Sequence, residues 1–125
     1  MLAYIAGPLF SEEQRKKLEQ IEKLCKEGGF STFLPHRDAG LWDRDDHKEI
    51  FEKDLQGLKK CDLVVALVEE EDCGTSWEIG YAYSNKIKVI ALGNKEHTDI
   101  MLKHSAILVE TLEELDELLT KTRKG

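Results

Sequence analysis

The chain has 125 residues, 41% of them hydrophobic and 34% charged. That length suits one domain, residues 1–125, and no apolar run approaches the roughly 20 residues needed to cross a bilayer. Acidic side chains outnumber basic ones 25 to 18, a net charge of -7, so the sequence lacks the basic face of a nucleic-acid binder and better suits a small ligand with a neutral or basic head.

Residues 2–6 read as a short apolar strand, ended by Gly7-Pro8. Ser11 and Gln14 have the spacing of a capping box for a helix running to about Glu27, with Leu18, Ile21 and Cys25 on one face. Gly28-Gly29 stops it, and a strand over 30–34 ends at Pro35. Residues 36–46 have no clear period and read as a loop at a strand end, where ligand contacts concentrate. A second helix spans about 46–60, with Ile50, Phe51, Leu55 and Leu58 as one apolar stripe.

The central stretch is CDLVVALVEEEDCGTSWEIGYA, residues 61–82. Its unbroken apolar run, 63–68, is the pattern of a strand buried on both faces. An acidic turn follows, and Thr75 with Glu78 fits a second capping box opening a third helix. Residues 87–92 form another buried strand, 99–102 one or two helical turns, and 106–109 a last strand. Thr111 and Glu114 open the final helix, with Leu112, Leu115, Leu118 and Leu119 on its buried face and a basic tail at its C-terminus. This alternation predicts a three-layer, flavodoxin-like (Rossmann-like) α/β fold with a five-stranded, mostly parallel sheet. Such sheets bind ligands at the carboxyl ends of their central strands.

Several carboxylates fall at those ends. Glu78 reads either as a helix cap or as a fixed, ionised nucleophile for a sugar carbon. Asp72 reads as a turn residue or a ligand contact, and Asp54 as a solvated helix position or a proton donor. Phe10 suits either the core or an aromatic wall for a planar base. Trp42, Trp77 and Tyr4 read as packing or interface residues. Cys73 would need His36, His47, His97 or His104 as its base, and no spacing selects one. Three cysteines and four histidines without metal-ligand or disulfide spacing point to a reducing, cytoplasmic setting and to no metal and no cofactor.

Three stretches, YIAGPLFS (4–11), DLQGLKKCDLVVAL (54–67) and DCGTSWEIGYA (72–82), together with DIM (99–101), resemble the nucleoside 2-deoxyribosyltransferase family. The resemblance implies a flavodoxin-like fold. It also implies cleavage of the N-glycosidic bond of 2'-deoxynucleosides through a covalent deoxyribosyl-glutamate, with transfer of the sugar to a free nucleobase. Glu78 would be the nucleophile and Asp54 would assist protonation of the leaving base. Asp72 and Gly74 would hold the sugar, and Tyr4, Gly7, Pro8 and Phe10 would line the pocket. Asp99 and Met101 would reach the site of a neighbouring subunit in a homodimer or higher assembly.

The chain departs from the family where Asp99 stands in place of an asparagine, and it is shorter than the usual transferases. A less closed site would admit water and favour hydrolysis. A related branch hydrolyses 2'-deoxynucleoside 5'-monophosphates and carries serines where this chain has Asp72 and Asp99. Two carboxylates there would repel a phosphate, so a nucleoside is the expected substrate. A non-catalytic nucleoside- or nucleotide-binding domain, with Glu78 only as a helix cap, is the alternative from a different class.

Overall fold

A computed structural model describes residues 1–96 and 98–124; His97, one of the candidate bases, and Gly125 lie outside the described residues. Five strands form one sheet: β1 (Leu2–Ala6), β2 (Ser31–Phe33), β3 (Leu63–Leu67), β4 (Lys88–Leu92) and β5 (Ile107–Val109). Their order is β2-β1-β3-β4-β5 and every pairing is parallel, so the three-layer α/β architecture stands as expected. The order reverses between β1 and β3, which opens a crevice at their carboxyl ends.

The period-2 alternation of the strands sorts the core into two layers. Ala3, Ile5, Leu63, Val65, Leu67, Ile90 and Leu92 face α1 (Glu12–Glu27) and α6 (Leu112–Lys124). Tyr4, Ala6, Val64, Ala66, Val89 and Ala91 face α3 (His47–Lys60) and α4 (Cys73–Ser84). The second layer is rich in alanine, which lets α4 lie close to the sheet. Gly57 does the same for α3: a Cβ there would sit 3.0 Å from the Phe33 ring.

Local signals explain most boundaries. Ser11 and Gln14 form the predicted capping box of α1, and Leu18, Ile21 and Cys25 are buried. Thr111 Oγ1 accepts from the Glu114 amide at the start of α6, whose last turn carries Lys121, Arg123 and Lys124. Leu115 and Leu119 are buried, whereas Leu112, expected on that face, is exposed because it opens the helix at its solvent end.

Four expectations need correction. The third helix begins at Cys73, not Thr75, because Asp72 is the cap: its Oδ2 accepts from the Thr75 amide at 3.1 Å. Thr75 and Glu78 therefore make no capping box. Pro35 does not open a plain loop but starts a one-turn helix, α2 (Pro35–Asp38), where a missing N–H costs nothing. The strand before it is correspondingly shorter, Ser31–Phe33. In α3 only Leu58 of the predicted stripe is fully buried; Phe51 is exposed and Ile50 and Leu55 are half-buried.

Candidate active site

The crevice between β1 and β3 holds a cleft of about 570 Å³. Gly7, Leu9 and Phe10 form its β1 side, and Asp72, Gly74, Trp77 and Glu78 its α4 side. Asp54 and Leu55 of α3 lie across it, and Leu41 and Trp42 close the end after α2. The half-buried α3 stripe thus covers the cleft rather than the core. Gly7 is required by close approach: a Cβ there would lie 2.5 Å from Leu18 Cδ2 and 3.3 Å from Leu67.

Glu78 stands in the second turn of α4, on the side facing the sheet. The Tyr4 hydroxyl, from the middle of β1, donates to Glu78 Oε2. Tyr4 is itself fully buried and stacked on Phe33, with ring centroids 5.2 Å apart and planes 8° from parallel. It was expected to line the pocket; it stands behind Glu78 instead and fixes that carboxyl from below. The charge of Asp54 also raises the Tyr4 phenol, and Tyr4 lowers Asp54 in turn. Asp54 Oδ1 is buried and has no hydrogen-bond partner.

Burial sets the electrostatics. It pushes the Glu78 carboxyl up to about 8; the Tyr4 bond offsets part of the rise, and the charges of Asp54 and Asp72 add to it. Burial likewise pushes Asp54 up to about 6, against a smaller lowering by Tyr4. Tyr4 is held far above the ordinary phenol range by burial and by the two carboxylates, so it remains a neutral donor. Both carboxyls are thus pushed toward their protonated forms, Glu78 further than Asp54.

The remaining predicted residues divide. Gly7, Phe10, Asp72 and Gly74 line the cleft, whereas Pro8 is buried and lines a small hollow behind it with Lys17 and Glu69. Asp99 caps α5 (Ile100–Ser105) through the Met101 amide, and Asp99 and Met101 are both exposed and outside the cleft. Cys73 lines the cleft, but His36 pairs with Glu19, His47 with the Trp42 carbonyl, and His104 lines a separate hollow beside β5. Sequence reasoning missed Phe51 as a cleft wall and took Trp42 and Trp77 for packing or interface residues. Periodicity placed Phe51 on the apolar stripe of α3, and Trp42 lies in a turn that has no period to read. Among the described residues, no group of three His, Cys, Asp or Glu is arranged to hold a metal ion, and no helix is long and apolar enough to cross a membrane.

A model of the nucleoside 2-deoxyribosyltransferase family matches residues 3–117. The chain belongs to that family. Its chemistry is therefore that of the family at large, the processing of nucleosides by transfer or hydrolysis of the deoxyribosyl group. Among solved structures, a conserved protein from Enterococcus faecalis V583 superposes with a TM-score of 0.82 at 23% identity, covering 98% of each chain. A 2-deoxyribosyltransferase from Bacillus psychrosaccharolyticus gives 0.81 at 23% identity, covering 93% of this chain and 90% of that one. A CMP N-glycosidase from Clostridium botulinum gives 0.66 at 20% identity, over 98% and 97%. At these identities the likeness is one of fold. A Thermofilum pendens protein carrying the name of a 2'-deoxynucleoside 5'-phosphate N-hydrolase is 29% identical over 105 residues, 79% of this chain and 72% of that protein.

Proposed function

We propose that this protein cleaves the N-glycosidic bond of 2'-deoxynucleosides by double displacement, with Glu78 as nucleophile, and passes the deoxyribosyl group to a second nucleobase. The observation that carries this is that Glu78 and Asp54 both line the cleft, with Glu78 held from behind by the Tyr4 hydroxyl. A Glu78 oxygen attacks C1', the C1'–N bond breaks, and its electron pair leaves with the base. Asp54 supplies the proton that neutralises the departing base. The incoming base then attacks C1', releases Glu78, and returns a proton to Asp54. These steps need Glu78 ionised and Asp54 protonated; burial raises Glu78 above Asp54, so in the empty cleft the proton sits on Glu78 and passes to Asp54 before attack. Tyr4 orients Glu78 and hydrogen-bonds to its charge.

A nucleoside fits better than its 5'-monophosphate. No basic side chain lines the cleft among the described residues, and its charged members are Asp54, Asp72 and Glu78. Lys17, beyond the rim, is paired with Glu69. The amides of Phe10 and Ser11, which a phosphate at the first strand-to-helix turn would use, are taken by Gln14 Oε1 at 2.9 and 3.0 Å.

Hydrolysis is the second reading. The openness of the cleft above Phe10, Trp42 and Trp77, all more than half exposed, favours entry of water. Asp99 and Met101, standing outside the cleft on an exposed helix, suit a role in completing a neighbouring protomer's site.

The test is a product assay with 2'-deoxyinosine and excess adenine. Appearance of 2'-deoxyadenosine, lost in Glu78→Gln, supports transfer through Glu78. Hypoxanthine with free deoxyribose and no new nucleoside supports hydrolysis. No product from deoxyinosine or thymidine, with the ligand still bound, would leave a binding domain.

A further inference from the structure

Glu78 marks where the sugar carbon reacts, which leaves the rest of the cleft wall for the base. Two aromatic pairs stand on that wall. Phe10 and Trp42 meet edge to face, with centroids 6.4 Å apart at 73°; Phe51 and Trp77 do the same at 5.9 Å and 63°. All four rings line the cleft and all are more than half exposed in the empty protein. Trp77 has one face stacked on Tyr81, at 5.8 Å and 15°, and a planar base is a natural partner for the ring surface that remains exposed.

Hydrogen-bonding side chains other than carboxylates are scarce along the cleft. The cleft lining contains no Asn, Gln, Ser, Thr, Lys or Arg among the described residues. The loop after α2 spends its polar backbone on itself: the Gly40 amide donates to the Pro35 carbonyl at 3.1 Å, and the Leu41 amide to Asp45 Oδ2 at 2.8 Å. The Leu41 carbonyl accepts from Arg44 and Asp45, and the Trp42 carbonyl is paired with His47. The Phe10 amide is taken by Gln14, and Asp72 Oδ2 by Thr75. The polar side chains left to meet a base edge are the cleft's carboxylates, and of these Asp54 has a buried Oδ1 with no hydrogen-bond partner.

We infer that the base end of this cleft selects planar bicyclic bases by stacking area and reads little of their hydrogen-bonding edge. The inference rests on the deoxynucleoside reading above and supplies its substrate class: purine 2'-deoxynucleosides, with wide tolerance of the purine's exocyclic groups. A site that hydrogen-bonds an edge rejects an analogue lacking the matching group steeply, whereas an apolar wall discriminates by size and only weakly by substituent. Asp54, able to accept or to donate according to its proton, matches either kind of ring nitrogen.

Calorimetric titration with free bases tests this apart from turnover. Adenine, hypoxanthine and unsubstituted purine are expected to bind within about five-fold of one another, and cytosine and thymine about ten-fold or more weaker. Trp42→Ala should weaken every purine alike, by about ten-fold, and Trp42→Phe should restore most of the loss. A spread of about thirty-fold or more between adenine and hypoxanthine, cytosine binding as tightly as adenine, or purine affinities unmoved by Trp42→Ala would each overturn it. Cleavage of 2'-deoxyinosine and thymidine, run beside the titrations, separates the two readings. Size-ordered binding without cleavage sinks the proposed chemistry and leaves this inference standing; cleavage with steep edge discrimination does the reverse.

Discussion

The Tyr4 hydroxyl on β1 donates to Glu78 Oε2 on α4, joining the middle of the sheet to the second turn of a helix 74 residues further along the chain. A neutral phenol in that place favours the ionised form of the carboxyl it touches.

Removing it should therefore move the acid limb of the rate profile. Tyr4→Phe keeps the stack on Phe33 but loses the donor, so Glu78 binds its proton more tightly. The expected loss in kcat/KM is about 10- to 100-fold at pH 7, shrinking as pH rises. A pH profile displaced toward acid, or unchanged in position, would contradict the role given to Tyr4.

Stability should respond to the same carboxyls. A carboxyl whose folded pKa exceeds its unfolded value binds a proton more tightly in the native state. Its contribution to stability is complete below the unfolded pKa and is lost as pH rises through the folded one. For Glu78 that window runs from 4.5 to about 8, and for Asp54 from 3.8 to about 6. Glu78→Gln should therefore be more stable than the parent at pH 8.5, by about 1–3 kcal/mol, with the advantage vanishing near pH 5. Denaturant melts at both pH values check this; equal differences at the two would count against a buried, proton-binding Glu78.

Asp54 is tested through the leaving group. Asp54→Asn should lower kcat/KM for 2'-deoxyinosine by about 10²- to 10⁴-fold, the usual worth of a positioned acid. The penalty should fall below about ten-fold for 7-methyl-2'-deoxyguanosine, whose base departs neutral without a proton. Equal penalties on both substrates would assign Asp54 to binding alone.

Charge at Asp72 and Asp99 should govern acceptance of a 5'-phosphate. Serine caps helices as well as aspartate does, so the double replacement keeps both helix starts intact. It should raise kcat/KM for 2'-deoxyinosine 5'-monophosphate relative to the nucleoside by about ten-fold, and more at low salt than at high. Steady-state kinetics at two ionic strengths decide; an unmoved ratio would place the discrimination elsewhere.

Helix starts, strand alternation and the core of α1 were legible because each depends on neighbours in the chain: Ser11 with Gln14, Leu18 with Ile21 and Cys25. The α4 start was misplaced because two caps three residues apart compete, and aspartate at 72 wins by adding a turn before Thr75. Periodicity identified the apolar side of α3 but not what covers it, so Ile50 and Phe51 looked like core. Glu78, Asp54, Asp72, Gly7 and Phe10 were picked out by motif resemblance, and all five line the cleft. The hydroxyl that links Glu78 to the sheet was invisible, because no local pattern connects positions 4 and 78.

The two ends of the cleft are built from different material. The reacting end hangs from the interior: Tyr4 lies in β1, and α4 is seated on a bed of alanines. The aromatic part of the wall is made of rings standing on the surface of two loops and two helix faces. Substitutions at exposed positions usually cost little stability, whereas changes in a packed interior cost much. The preference of this protein for one base over another is thus free to drift across generations, or to be redesigned at the bench, while the machinery that breaks the bond stays locked to the survival of the fold itself.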